Sequence, residues 1–200
     1  MPTRKSMIRL GLPWRAMMRN RAYDLTTYSF SSGDKILIDA NVWLYLYPPP
    51  SNSKSTFAAS YSRAFATLIQ NGATPFIDPM ILSEYLNRYC RLEWVANFSS
   101  RYPKYKDFRN SSDFLSMASG AATLASGMLR NCKLHPMPTD QMDLKQAISD
   151  FGSGMKDFND AVLTDICKQQ NLKLLTNDVD FQTGGIEVIT SNPKLLKACP

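Results

Sequence analysis

A three-layer α/β/α sandwich with a central parallel β-sheet is the fold this sequence predicts, on three observations. Short apolar runs of strand length alternate with longer helical patterns almost throughout, as in a parallel sheet covered by helices on both faces. Turn and stop signals such as Pro48–Pro50, Gly72 and Gly152 separate the runs. The 200 residues, 44% of them hydrophobic, suit one globular domain with an extension.

The elements follow in order. Ile36–Ile38 is a short buried strand with Asp39 just past its end. Pro48–Ser55 is a loop. In Thr56–Gly72, apolar Phe57, Tyr61, Ala64 or Phe65, and Leu68 keep helical spacing, and Asn71-Gly72 is a stop. Thr74–Asp78 is a second strand. Pro79–Phe98 is a long helix, with proline acceptable in its first turn. Ser99–Ser112 is a polar, tyrosine-rich link. Asp113–Cys132 is helical despite two glycines, and Lys133–Met137 is a weak strand. Thr139–Gly152 is a helix with its N-cap at Thr139 or Asp140. Phe158–Asn171 is a helix capped by Asp157. Leu172–Thr176 and Ile186–Thr190 are the last strands, before a tail.

Charge is uneven. Residues 1–32 carry Arg4, Lys5, Arg9, Arg15, Arg19 and Arg21 against Asp24 alone, whereas residues 33–200 hold 17 basic and 16 acidic side chains. The expected organisation is a basic N-terminal arm (1–32), a main domain (33–193) and a C-terminal tail (194–200). A basic arm suits phosphate backbones or anionic surfaces. The four cysteines, Cys90, Cys132, Cys167 and Cys199, show no C-x-x-C pair. Their spacing indicates reduced thiols, without disulfide or zinc, and a cytoplasmic setting. No run of about 18 apolar residues predicts a membrane span, and the first residues lack the apolar core of a secretory signal.

Four acids recur at equivalent places. Asp39 follows the first strand, Glu84 lies early in the helix from Pro79, Asp160 lies in the first turn from Phe158, and Asp178 follows the strand Leu172–Thr176. In a parallel sheet the strand ends of one polarity share one edge, which is where ligands bind. Carboxylates brought together repel unless a cation joins them. Mg²⁺ prefers oxygen ligands and binds through a few carboxylates plus substrate phosphate, where it activates water for phosphodiester displacement. Each acid has a plainer reading: turn residues for Asp178 and Asp180, a dipole partner for Asp160, a solvated helix residue for Glu84. His135 is the only histidine and has no nucleophile near it in sequence, and there is no phosphate-binding glycine motif.

Leu37–Leu46 (LIDANVWLYL), Ser83–Arg88 (SEYLNR), Asp157–Phe181 and Ile186–Pro193 resemble, in order and spacing, the PIN-domain nucleases. The likeness is greatest to the small toxins of type II toxin–antitoxin pairs, and weak between Ala96 and Met142. It implies a metal-dependent endoribonuclease using Mg²⁺ or Mn²⁺. The family's acidic quartet maps onto Asp39, Glu84, Asp160 and Asp178, with Asp180 as a further candidate ligand. Asn41 and Thr176 match residues that fix the carboxylates by hydrogen bonds. Ala40 departs from the family, which usually has a small hydroxyl residue there. Implied partners are an RNA such as tRNA, an antitoxin protein and a second copy of the chain in a homodimer. The competing reading is a non-catalytic PIN-like module that binds RNA or protein. A phosphotransferase with Asp39 as nucleophile would usually need a second acid where Asn41 stands.

Overall fold

The computed structural model describes residues 18–52, 55–135, 142–154 and 156–199. The strands are β1 (Arg21–Asp24), β2 (Lys35–Ile38), β3 (Thr74–Ile77), β4 (Lys133–Leu134), β5 (Lys173–Leu175) and β6 (Glu187–Thr190). The helices are α1 (Ala40–Leu46), α2 (Ala58–Gln70), α3 (Pro79–Glu93), α4 (Tyr105–Arg109), α5 (Ser112–Asn131), α6 (Leu144–Gly152), α7 (Phe158–Gln170) and α8 (Pro193–Ala198). The strands form one parallel six-stranded sheet in the order β1-β6-β5-β2-β3-β4. This is the α/β/α architecture that the alternation predicts.

The described residues fall into two compact units. Phe30–Gly33 with Ile38–Met137 make up the first, and the described remainder makes up the second. In the first, Val42 and Trp43 of α1, Tyr61 and Leu68 of α2, Ile77 of β3, Ile81 and Tyr85 of α3, and Met128 of α5 are fully or almost fully buried. In the second, Leu174 and Leu175 of β5 and Val188 and Ile189 of β6 are fully buried. Val162, Leu163 and Ile166 of α7 and Leu195 of α8 join them. Runs of apolar residues with no polar alternation are what strands covered on both faces require.

Several elements differ from the sequence expectation. Arg21–Asp24, within the expected arm, form edge strand β1, in register with β6 from Arg21–Glu187 to Asp24–Thr190. Ala40–Leu46 is a helix, although its β-branched and aromatic residues carry no helical signal. Pro79–Phe98 divides into α3 and a single π-helical stretch, Trp94–Phe98. The link contains α4, and the tail contains α8, capped by Asn192 accepting from the Lys194 N–H at 3.0 Å. The N-cap of α6 is Asp143, which accepts from the Gln146 N–H; Thr139 and Asp140 lie outside the described residues, as does most of the basic arm. All four cysteines are free. Among the described residues no helix is long and apolar enough to cross a membrane.

Candidate metal centre

Asp39 and Glu84 belong to the first unit. Asp39 leaves β2 in extended conformation and caps α1, so its carboxylate turns back over the helix start. The Ala40 N–H donates to its Oδ1 at 2.6 Å and the Asn41 side-chain amide to its Oδ2 at 2.6 Å. The D-x-N spacing thus has a local cause: one residue in the first turn reaches back to hold the cap. Residue 40 contributes through its backbone, and its side chain is fully buried, so alanine suffices there. Each Asp39 oxygen accepts one of these two bonds. Glu84, on the second turn of α3, accepts from Arg88 at 3.1 Å, one helical turn away.

The first unit also holds a buried pair that the sequence does not announce. Asp78 is fully buried and caps α3, accepting from the Met80 N–H at 2.8 Å. His135, just after β4, donates its backbone N–H to Ile77 at 2.7 Å. Its Nδ1 stands 3.9 Å from Asp78 Oδ2, and neither atom has a hydrogen-bond partner among the described residues. Burial raises the Asp78 pKa, and burial lowers that of His135.

Asp160 and Asp178 belong to the second unit. Asp157 caps α7, accepting from the Asn159 N–H at 2.9 Å. Asp160 stands in the first turn, and its carbonyl accepts from Thr164 Oγ1 at 2.6 Å. After β5 the chain turns through Thr176-Asn177-Asp178. The Asp178 N–H donates to the fully buried Thr176 Oγ1 at 3.0 Å, and the Asp180 N–H donates to Asp178 Oδ1 at 3.0 Å. Asn192 braces this turn by donating to the Asn177 carbonyl at 2.8 Å. Asp160 and Asp180 line one cavity of about 410 Å³, together with Gly154, Lys156, Asp157, Gln182 and Thr183.

Lys156 is the residue the sequence does not single out. Its Nζ donates to Thr164 Oγ1 at 3.0 Å and to the Thr183 carbonyl at 2.5 Å. Burial, helped by Lys168, pushes its pKa down to about 8 against the pull of Asp160 and Asp150. The loop that reaches it needs Gly184, at φ +135: a Cβ there would lie 2.5 Å from Thr164 Cγ2 and 3.1 Å from Lys156 Nζ. Only the fold brings Thr183 to a lysine 27 positions earlier.

The predicted donor set is all oxygen, which fits a hard divalent cation. Among the described residues, however, no three acidic, histidine or cysteine side chains form a group that could hold a metal ion. What stands built in each unit is the local bracing of single acids: Asp39 by Ala40 and Asn41, and the Asp178 turn by Thr176 and Asn192.

Comparison with known proteins supplies the family. No curated protein matches significantly. A solved structure, PAE2754 from Pyrobaculum aerophilum, resembles this one with a TM-score of 0.45 and 15% identity, over 82% of this chain and 95% of that one. A likeness that weak carries no functional argument. The PIN domain model matches residues 36–187, spanning β2 to the start of β6 and including all four predicted acids. The chain therefore belongs to the PIN domain family.

Proposed function

We propose that this chain is a divalent-metal-dependent endoribonuclease, and that it acts as the toxin of a toxin–antitoxin pair. The observation that carries the reading is the bracing of Asp39 in a PIN domain whose first strand ends on it. Two short bonds hold that carboxylate in one rotamer, which is how neighbouring groups orient a metal ligand. Asp39, Glu84, Asp160 and Asp178 would hold Mg²⁺ or Mn²⁺, with Asp180 as an added ligand. The bound cation would supply an activated water and neutralise charge on the phosphodiester. Asn41 holds Asp39, and Thr176 holds the backbone of Asp178. Glu84 would leave Arg88 for the cation, an exchange that costs little because exposed i,i+4 pairs contribute only about 0.3–0.5 kcal/mol.

The engagement of Glu84 with Arg88, and the lack of a three-acid group among the described residues, favour a second reading: a non-catalytic module that binds RNA or protein. One experiment separates the two. Purified protein is incubated with structured RNA, tRNA included, in Mn²⁺ or in EDTA. Cleavage that needs the metal and disappears in Asp39→Asn is the expected result. RNA binding without cleavage under any metal would establish the module instead. Growth arrest on expression, relieved by the product of a neighbouring reading frame, is the expected outcome for the toxin assignment.

A further inference from the structure

Residues 88–109 differ in charge from the rest of the main domain. They carry Arg88, Arg91, Arg101, Lys104, Lys106 and Arg109 against Glu93 and Asp107. Glu93 does not offset this surface: it is buried and accepts from the Ser51 N–H at 2.8 Å and from Asn97 at 2.9 Å. All six cations are exposed. Arg88 pairs with Glu84, and Arg101 with Asp113 at 2.7 Å. Among the described residues no carboxylate lies within ion-pair distance of Arg91, Lys104, Lys106 or Arg109.

Three of the arginine heads rest on aromatic rings. The Arg91 guanidinium lies 4.7 Å over Tyr105, that of Arg109 4.5 Å over Phe114, and that of Arg101 5.3 Å over Tyr102. The rings are themselves locked. Phe98 stacks on the fully buried Phe108 at 4.8 Å, and Trp94 meets Tyr105 edge-on at 5.4 Å. Cation–π contact accounts for where the arginine heads lie, but not for why lysines beside them go unneutralised. Unpaired like charges held together weaken a fold and gain only when a polyanion arrives. A rigid floor also reduces the side-chain entropy lost on binding.

We propose that this aromatic-floored basic ledge binds the phosphate backbone of single-stranded RNA and leads the strand along α3 towards Glu84. The choice of RNA rests on the nuclease reading above. Glu84, Arg88 and Arg91 stand at i, i+4 and i+7, on one face of one helix, spanning roughly 10 Å at 1.5 Å per residue. The ledge thus continues into the helix face that carries a proposed ligand.

The test uses the full chain in EDTA, where no metal-dependent cleavage occurs, and a fluorescein-labelled single-stranded RNA whose anisotropy is read across a salt series. A Lys104→Gln/Lys106→Gln/Arg109→Gln variant should weaken binding at least tenfold. It should also flatten the log–log salt slope by up to about 2, at about 0.7 per phosphate contact. A charge-matched control, Lys145→Gln/Lys194→Gln/Lys197→Gln, should keep the wild-type slope, and thermal melting should confirm that both variants fold. An unchanged slope in the first variant, or an equal loss in the control, overturns the ledge. So does wild-type protein that binds polyglutamate of equal charge as tightly as RNA, which would make the partner an acidic protein. Metal-dependent cleavage is scored separately, so loss of cleavage with binding retained refutes the nuclease and leaves the ledge standing.

Discussion

Asp157 and Asp160 are three positions apart at the start of one helix, and the geometry gives them different work. Both line the cavity, but Asp157 spends its carboxylate on the Asn159 N–H, whereas Asp160 is the proposed ligand. Asp157→Ala should therefore cost about 1 kcal/mol of stability as a lost cap and leave metal-dependent cleavage in place, whereas Asp160→Ala should abolish most of it. Asp157→Ala abolishing cleavage at unchanged stability would refute that division. Asn41→Ala removes one of the bonds that hold Asp39 and should weaken Mn²⁺ affinity about 10- to 100-fold, read by calorimetry. These local roles are legible in sequence because cap, D-x-N and T-x-D contacts close within two or three residues, where spacing fixes geometry. Lys156 is illegible for the opposite reason: its partner carbonyl, Thr183, arrives through a glycine loop. The Asp78–His135 pair likewise joins residues 57 positions apart, and neither neighbourhood announces the other.

The elements most easily read are those whose burial is one-sided or complete. β5 and β6 are buried apolar runs, and α2 keeps Tyr61, Ala64 and Leu68 on one buried face. β1 escapes because RAYD is polar at both ends, and an edge strand needs little apolar content to pair. Beside its backbone pairing to β6 lies a polar cluster. Lys173, opening β5, donates to Tyr28 Oη at 2.7 Å and to the buried Asp34 at 2.8 Å, and Glu187 on β6 accepts from Tyr23 Oη at 2.7 Å. Burial alone would lower the Lys173 pKa, but the bonds to Asp34 and Tyr28 more than offset it, so the pKa is raised. A raised lysine contributes stability below its unfolded value, about 10.4, and loses it as pH rises through the folded value. At neutral pH, Lys173→Met leaves Asp34 buried without its cation. It should cost about 1–2 kcal/mol, since the lysine is partly exposed, read from urea midpoints at unchanged m. A variant as stable as wild type would mean that the cluster holds nothing.

At the scale of the molecule, the pH dependence of stability and the distribution of charge are each open to one measurement. Burial lowers the His135 pKa, so the folded chain resists a proton that the unfolded chain binds near 6.5. Its contribution is present above that pH and is lost as pH falls below it, down to the lowered folded value; the raised Asp78 works in the opposite sense at lower pH. His135→Asn should flatten the fall in melting temperature on the acid side of 6.5, and a curve parallel to wild type would place the acid sensitivity elsewhere. The basic arm, expected over residues 1–32, needs a narrower test than that range suggests. Removing all of it would delete β1 and, with it, the pairing to β6. A truncation after residue 17 spares the described chain and removes Arg4, Lys5, Arg9 and Arg15 with no acid. If those four track RNA phosphates, the salt slope of binding should flatten by up to about 3, at about 0.7 per contact. Residues 1–17 and the ledge at residues 88–109 are separate stretches of chain, so their slope changes should add when the truncation and the triple glutamine variant are combined. Cleavage at saturating RNA should survive the truncation, because none of the four proposed ligands lies before residue 39. A truncated protein with the full wild-type slope would remove the arm from RNA binding and leave the ledge as the main cationic footprint.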